Sequence, residues 1–179
     1  MNDTPAQFDS VLAQAREIFL KKTMDYGTSW RVLRPISLAD QIYIKARRIR
    51  SIQEMKHQLI ADDIASEFLG IINYSIIGLI QLKIDDEEIE EIAPDECARL
   101  YDAEASITKA LMMQKNHDYG EAWREMSQES FVDLILMKLH RMKQIIRNSG
   151  QTLMSEGIDA NYMDILNYAV FALILQSEQ

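Results

Sequence analysis

"KTMDYGTSWR" occupies residues 22–31 and "KNHDYGEAWR" occupies residues 115–124. The two decapeptides share six positions (Lys, Asp, Tyr, Gly, Trp and Arg) at an offset of 93 residues. The offset continues downstream. Ser37 and Asp40 recur as Ser130 and Asp133, Lys45 and Arg48 as Lys138 and Arg141, and Ile52 as Ile145. One inserted residue then makes the offset 94, so that Asp62, Ile64, Ile71 and Asn73-Tyr74 recur as Glu156, Ile158, Ile165 and Asn167-Tyr168. One repetition over nearly the whole chain is a duplication, not a solenoid.

Each copy reads as three helices. The first opens on Thr4-Pro5-Ala6-Gln7, a capping box with proline in the first turn. Phe8, Val11, Leu12, Ala15, Ile18 and Phe19 follow as an apolar stripe at helical spacing. Gly27 should end this helix, because glycine takes the left-handed conformation that closes one. The second helix runs from Ser37 to about His57. Asp40 and its copy Asp133 each follow a serine by three residues and read as capping acids. The third, from about Ala61 to Leu82, is apolar nearly all round and belongs at the bundle centre. The second copy predicts helices at about 95–118, 130–148 and 158–176.

The expected fold is therefore an all-α bundle of two tandem three-helix repeats with pseudo-twofold symmetry, like a fused dimer. The first repeat spans 1–84, an acidic linker 85–94 and the second repeat 95–179, packed as one unit. The ExxE spacings of the linker (Glu87 with Glu90, Glu88 with Glu91) read as a solvated charge run.

Composition narrows the function. Six glycines and three prolines in 179 residues leave little turn chemistry for a β-rich fold. The lone Cys97 fits a reducing compartment, and "MNDTPAQFDS" lacks a basic-then-apolar signal pattern, so a cytoplasmic location is expected. "FLGIINYSIIGLIQL" is short for a bilayer and contains Asn73, so a buried helix is expected and no membrane partner. A net charge of −9 argues against direct nucleic-acid binding but leaves room for a small anion where cations are grouped. Apolar, Met-rich helices permit a homodimer.

Lys45 with Arg48, and Lys138 with Arg141, lie three residues apart on one helix face. A point charge beside a fork of donors suits a phosphate or carboxylate. The third helix of each copy carries facing acids and amides: Asp62, Glu67 and Asn73, then Glu156, Asp164 and Asn167. The acids are divided, since Glu67 corresponds to Asn161 and Gly70 to Asp164. Carboxylates facing a bundle interior are costly unless paired or bound to metal, and Mg²⁺ needs only one or two of them plus substrate phosphates. Were the third helices to meet across the axis, Glu67 and Asp164 could complete one composite site. In the opening motif, glycine is accounted for as a helix end and tryptophan partly as a core anchor. Lys22, Asp25, Tyr26, Trp30 and Arg31, with Lys115, Asp118, Tyr119, Trp123 and Arg124, are read as the wall of a site. No catalytic residue is assigned.

These elements resemble the nucleotide modification associated domain family. The resemblance rests on a lysine and "DYG" followed by an aromatic, then K-x-x-R, then an acid and "NY" on the last helix, once per copy. Their arrangement is also similar to the MazG-type all-α nucleoside triphosphate pyrophosphatases. The resemblance implies a small-molecule nucleotide as ligand. It also implies Mg²⁺ as cofactor, should the protein be a nucleotide pyrophosphatase or phosphohydrolase. The alternative is a non-catalytic nucleotide sensor, or a helical assembly protein with a degenerate site.

Overall fold

The computed structural model describes residues 3–55, 63–84, 91–153 and 156–179. Among the described residues six helices are present in chain order: α1 (Thr4–Tyr26), α2 (Pro35–Met55), α3 (Ile64–Lys83), α4 (Pro94–Tyr119), α5 (Gln128–Arg147) and α6 (Ile158–Ser177). Short 3₁₀ turns at Ser29–Val32 and Ala122–Glu125 carry the two tryptophans. No strand occurs among the described residues.

Both DYG motifs end a helix as expected. Gly27 and Gly120 have φ of +67° and +60°, where an L side chain is strained, and their N–H groups close onto Thr23 and Asn116. The start of α1 differs from the capping-box reading. Asp3 is the cap, its carboxylate accepting from the Ala6 N–H, and Thr4 is buried one position inside. Thr4 instead donates its hydroxyl to Glu121 and accepts from Arg124, which ties the start of α1 to copy two.

Helices α2, α3, α5 and α6 form the centre, with α3 packed on α6 and α2 on α5. Helices α1 and α4 pack on each other and on both α3 and α6, so neither repeat stands alone. The apolar character of α3 and α6 explains their position. Phe68, Ile71, Ile72 and Ile76 face Ile165, Leu166, Ala169 and Val170 within a single core, all fully buried. Each such aliphatic side chain contributes roughly 1.5–3 kcal/mol. Close approach of the pair depends on Gly78, where an added Cβ would lie 2.3 Å from Tyr162 Cζ. Both helices are long and apolar enough to cross a bilayer by length and composition alone. That corrects the length argument. Their placement in the core, carrying Glu67, Asn73, Asn161, Asp164 and Asn167 inside it, follows from packing.

The pseudo-twofold axis is visible in reciprocal ion pairs. Arg16–Asp102 and Lys109–Asp9 join α1 to α4, each at 2.7 Å, and the two pairs interchange at the offset of 93. Asp40–Lys143 at 2.7 Å and Asp133–Arg50 at 3.5 Å do the same between α2 and α5. Reciprocity of this kind defines an isologous contact, here within one chain. It also corrects the capping role given to Asp40 and Asp133. Helix α2 begins at Pro35, and α5 is capped by Ser127, so both aspartates lie past the first turn and pair across the axis.

Candidate functional site

The open cleft of copy one holds about 630 Å³. The end of α1 supplies Lys22, Thr23 and Tyr26, the 3₁₀ turn supplies Trp30, α2 supplies Lys45, and α3 supplies Glu67, Gly70, Asn73, Tyr74 and Ile77. Three helices thus bring the pieces of one repeat to one place. Tyr26 and Tyr74 are neighbours: partial burial raises the Tyr26 phenol above its ordinary range, and nearby Tyr74 and Asp25 raise it further. The Lys45 ammonium lies 5.9 Å from the centre of the Tyr74 ring.

Charge in this cleft is partly engaged. Arg48 donates from Nη1 to Glu67 Oε1 at 2.5 Å, while Lys45 Nζ stands 3.7 Å from Glu67 Oε2. Lys22 is exposed and makes no hydrogen bond or ion pair among the described residues. Asn73 is held on both sides, donating to the Ala15 carbonyl at 3.0 Å and accepting from the Tyr101 hydroxyl at 2.8 Å. Its amide is therefore a fixed part of the floor.

In copy two the equivalent positions are filled from within. Asp164 accepts from Lys115 Nζ at 2.6 Å and from Lys138 Nζ at 2.8 Å. Burial pulls the Lys115 ammonium down, but the bond and charge of Asp164 outweigh it, and the net shift is upward. Burial, with Asp164 nearby, raises the Tyr168 phenol. Trp123 stacks on Phe171, with ring centroids 4.2 Å apart, and Arg124 covers it at 4.3 Å. Position 171 corresponds to Ile77, so copy one lacks this second ring.

The expected wall is thus only partly assembled. Lys22, Tyr26 and Trp30 line the copy-one cleft, whereas Asp25 does not. Arg31 donates to Gln81, whose amide in turn donates to the carbonyls of Trp30, Arg31 and Leu33, so this arginine fastens the 3₁₀ turn to α3. Arg124 binds Glu121, Thr4, Gln7 and Glu178 and is likewise a fastener. Among the described residues Asp118 meets only His117, and Tyr119 is largely exposed. Arg141 and Glu156 line a separate groove with Lys138 and Asn161. The groove's Asn161, counterpart of Glu67, donates to the Gly157 carbonyl, so Arg141 has no acid in Glu67's place.

The composite site is corrected as well. Helices α3 and α6 do meet, but Glu67 and Asp164 share no partner, and each closes on cations of its own copy. A Mg²⁺ ion here would draw on one or two of these carboxylates together with ligand phosphates. No three acidic, histidine or cysteine side chains gather among the described residues, and the three buried carboxylates, Glu67, Glu104 and Asp164, each already face a cation. Asp62 and His57 lie outside the described residues, as does most of the linker.

Sequence reasoning missed Leu69 and Ile77, whose apolar character is that of any core position. It also missed Phe171 as the cover of Trp123, for the same reason.

A family model described as Nucleotide modification associated domain 1 matches residues 22–82 and 115–175, one match per copy. No curated protein and no solved structure matches the chain, and the MazG-type pyrophosphatases are not among the matches.

Proposed function

The chain belongs to the nucleotide modification associated domain 1 family, and on that premise we propose that it binds a small nucleotide in the copy-one cleft. One observation carries the reading. Within a family-matched segment, two lysines and three aromatic side chains (Tyr26, Trp30 and Tyr74) converge on a single concave surface. Pockets that combine apolar and aromatic walls with a few placed charges are typical of small-molecule sites. The lysines suit the phosphate, and the aromatic walls suit the flat face of a base. Family membership supports nucleotide chemistry in general; the base and sugar are left to measurement.

Binding, not turnover, is the reading that the interior carboxylates favour, because Glu67 is already bonded to Arg48. Titration calorimetry with nucleoside mono-, di- and triphosphates, with and without Mg²⁺, tests the proposal, alongside chromatography of the same mixtures for products. Saturable binding that weakens in Lys45→Ala supports it. Absence of binding by every nucleotide overturns it. Product formation that depends on Glu67 would replace the sensor by a phosphohydrolase.

A further inference from the structure

Asp164 and its two lysines show what the motif does when it is full. The carboxylate is 5 % exposed and is gripped at 2.6 and 2.8 Å by Lys115 and Lys138. Their counterparts in copy one are Lys22 and Lys45, and the counterpart of Asp164 is Gly70. Copy one therefore presents the same two lysines to one cleft, with glycine at the position that carries the carboxylate in copy two. Lys22 has no partner among the described residues. Lys45 reaches Glu67 only at 3.7 Å, beyond hydrogen-bond range.

We propose that Lys22 and Lys45 hold the ligand's phosphate in the place that Asp164's carboxylate takes in copy two. Asp164 is then a built-in counterpart of the ligand, and the lysine pair of copy two is already occupied. The inference rests on the nucleotide reading only for what carries the phosphate. Two ammonium groups act as point charges and suit a compact anion with more than one negative oxygen. The rest of the chain is acidic, so this local pair is what draws an anion in.

Gly70 gives the proposal a reversible form. The stem of Lys45 lies over it, with Cε and Cδ 2.9 and 3.0 Å from an added Cβ. These are atoms of a flexible side chain, which can swing aside as Lys138 does around Asp164. Gly70→Asp should therefore fold and should close the cleft with an internal carboxylate.

The experiment uses the full chain as wild type, Gly70→Asp and Asp164→Ala. Equilibrium dialysis and thermal melts are run with inorganic phosphate, acetate, adenosine monophosphate and adenosine. The wild type should bind one phosphate, prefer it to acetate, and bind the monophosphate more tightly than phosphate or adenosine. Gly70→Asp should weaken phosphate binding by about tenfold or more, the worth of one lost charge-assisted bond, while its melting point stays level or rises. Asp164→Ala should melt lower, regain stability as phosphate is added, and bind a second phosphate. Wild-type phosphate affinity in Gly70→Asp overturns the inference, as does acetate binding more tightly than phosphate. Should Asp164→Ala fail to fold, the Gly70→Asp result decides. Monophosphate binding equally tightly to wild type and Gly70→Asp leaves the nucleotide reading standing without the inference. Phosphate binding with the predicted pattern, and no gain from the nucleoside, does the reverse.

Discussion

The two copies carry the same three cations and place one acid of the central helix a single turn apart. In copy one it is Glu67, which takes Arg48; in copy two it is Asp164, three residues further on by alignment, which takes both lysines. Three residues are almost one helical turn, about 4.5 Å along the axis. That displacement is enough to change which cations are occupied. It leaves Lys22 and Lys45 at an open cleft in one copy and closes the equivalent pair in the other.

The largest effect should come from removing each acid in turn. Lys138 is 9 % exposed, so Asp164→Ala leaves a buried ammonium unpaired, at a cost of roughly 3–5 kcal/mol in phosphate-free buffer. Glu67→Ala should cost about 1–2 kcal/mol, because Arg48 and Lys45 are a quarter exposed and can turn to water. Urea titration of both variants measures the difference. Equal losses would mean that the two acids are equivalent after all.

That comparison also separates what the sequence makes legible from what it does not. The duplication, six helices and glycine ends follow from periodicity and turn chemistry, which are local. The divided acids were visible too, because Gly70 and Asp164 align. Which cation each acid chooses was not, since it depends on how α2 leans on α3 and α5 on α6. Asp40 and Asp133 misled for a related reason. The Ser-x-x-Asp pattern has the form of a cap, yet their partners come from the other copy, where no local signal points. Arg31 and Arg124 are repeated because both copies need the 3₁₀ turn fastened, a structural demand that leaves the same mark as a binding one.

The tryptophans sharpen the contrast optically, since the chain has only two. Trp123→Phe leaves Trp30 as the sole reporter, and its emission should change on titration with adenosine monophosphate. Trp30→Phe leaves Trp123 beneath Phe171 and Arg124, and its emission should stay constant. Each replacement removes a ring from a buried site and should cost roughly 1–3 kcal/mol. A response from Trp123 alone would move the site to copy two.

A smaller test addresses the two asparagines. Asn73 is satisfied by Tyr101, whereas Asn167 Oδ1 is buried without a hydrogen-bond partner among the described residues. At the offset of 93 the counterpart of Tyr101 is Phe8, which lacks the hydroxyl. Phe8→Tyr should stabilise the protein by about 1 kcal/mol if the hydroxyl reaches Asn167. Tyr101→Phe should destabilise it by a similar amount, read by the same urea titration. Opposite signs from exchanging the same two residue types would show that the copies differ at this site in one hydrogen bond only.

The smallest effect is expected across the α2–α5 contact, where the paired groups are partly exposed. Asp133–Arg50 spans 3.5 Å between half-exposed side chains, and Asp133→Asn should change stability by about 0.2 kcal/mol or less. Asp40–Lys143 is shorter, and Lys143 is 18 % exposed and lies 4.1 Å from the centre of the Tyr43 ring, so its charge is better held. Asp40→Asn should therefore cost more, about 0.5–1 kcal/mol, and lose part of that difference in high salt. A double-mutant cycle with Lys143→Met measures the coupling directly. If both aspartates gave the same small value, the ring beneath Lys143 would contribute nothing. The asymmetry between the copies would then lie in the cleft and not in the contact that joins them.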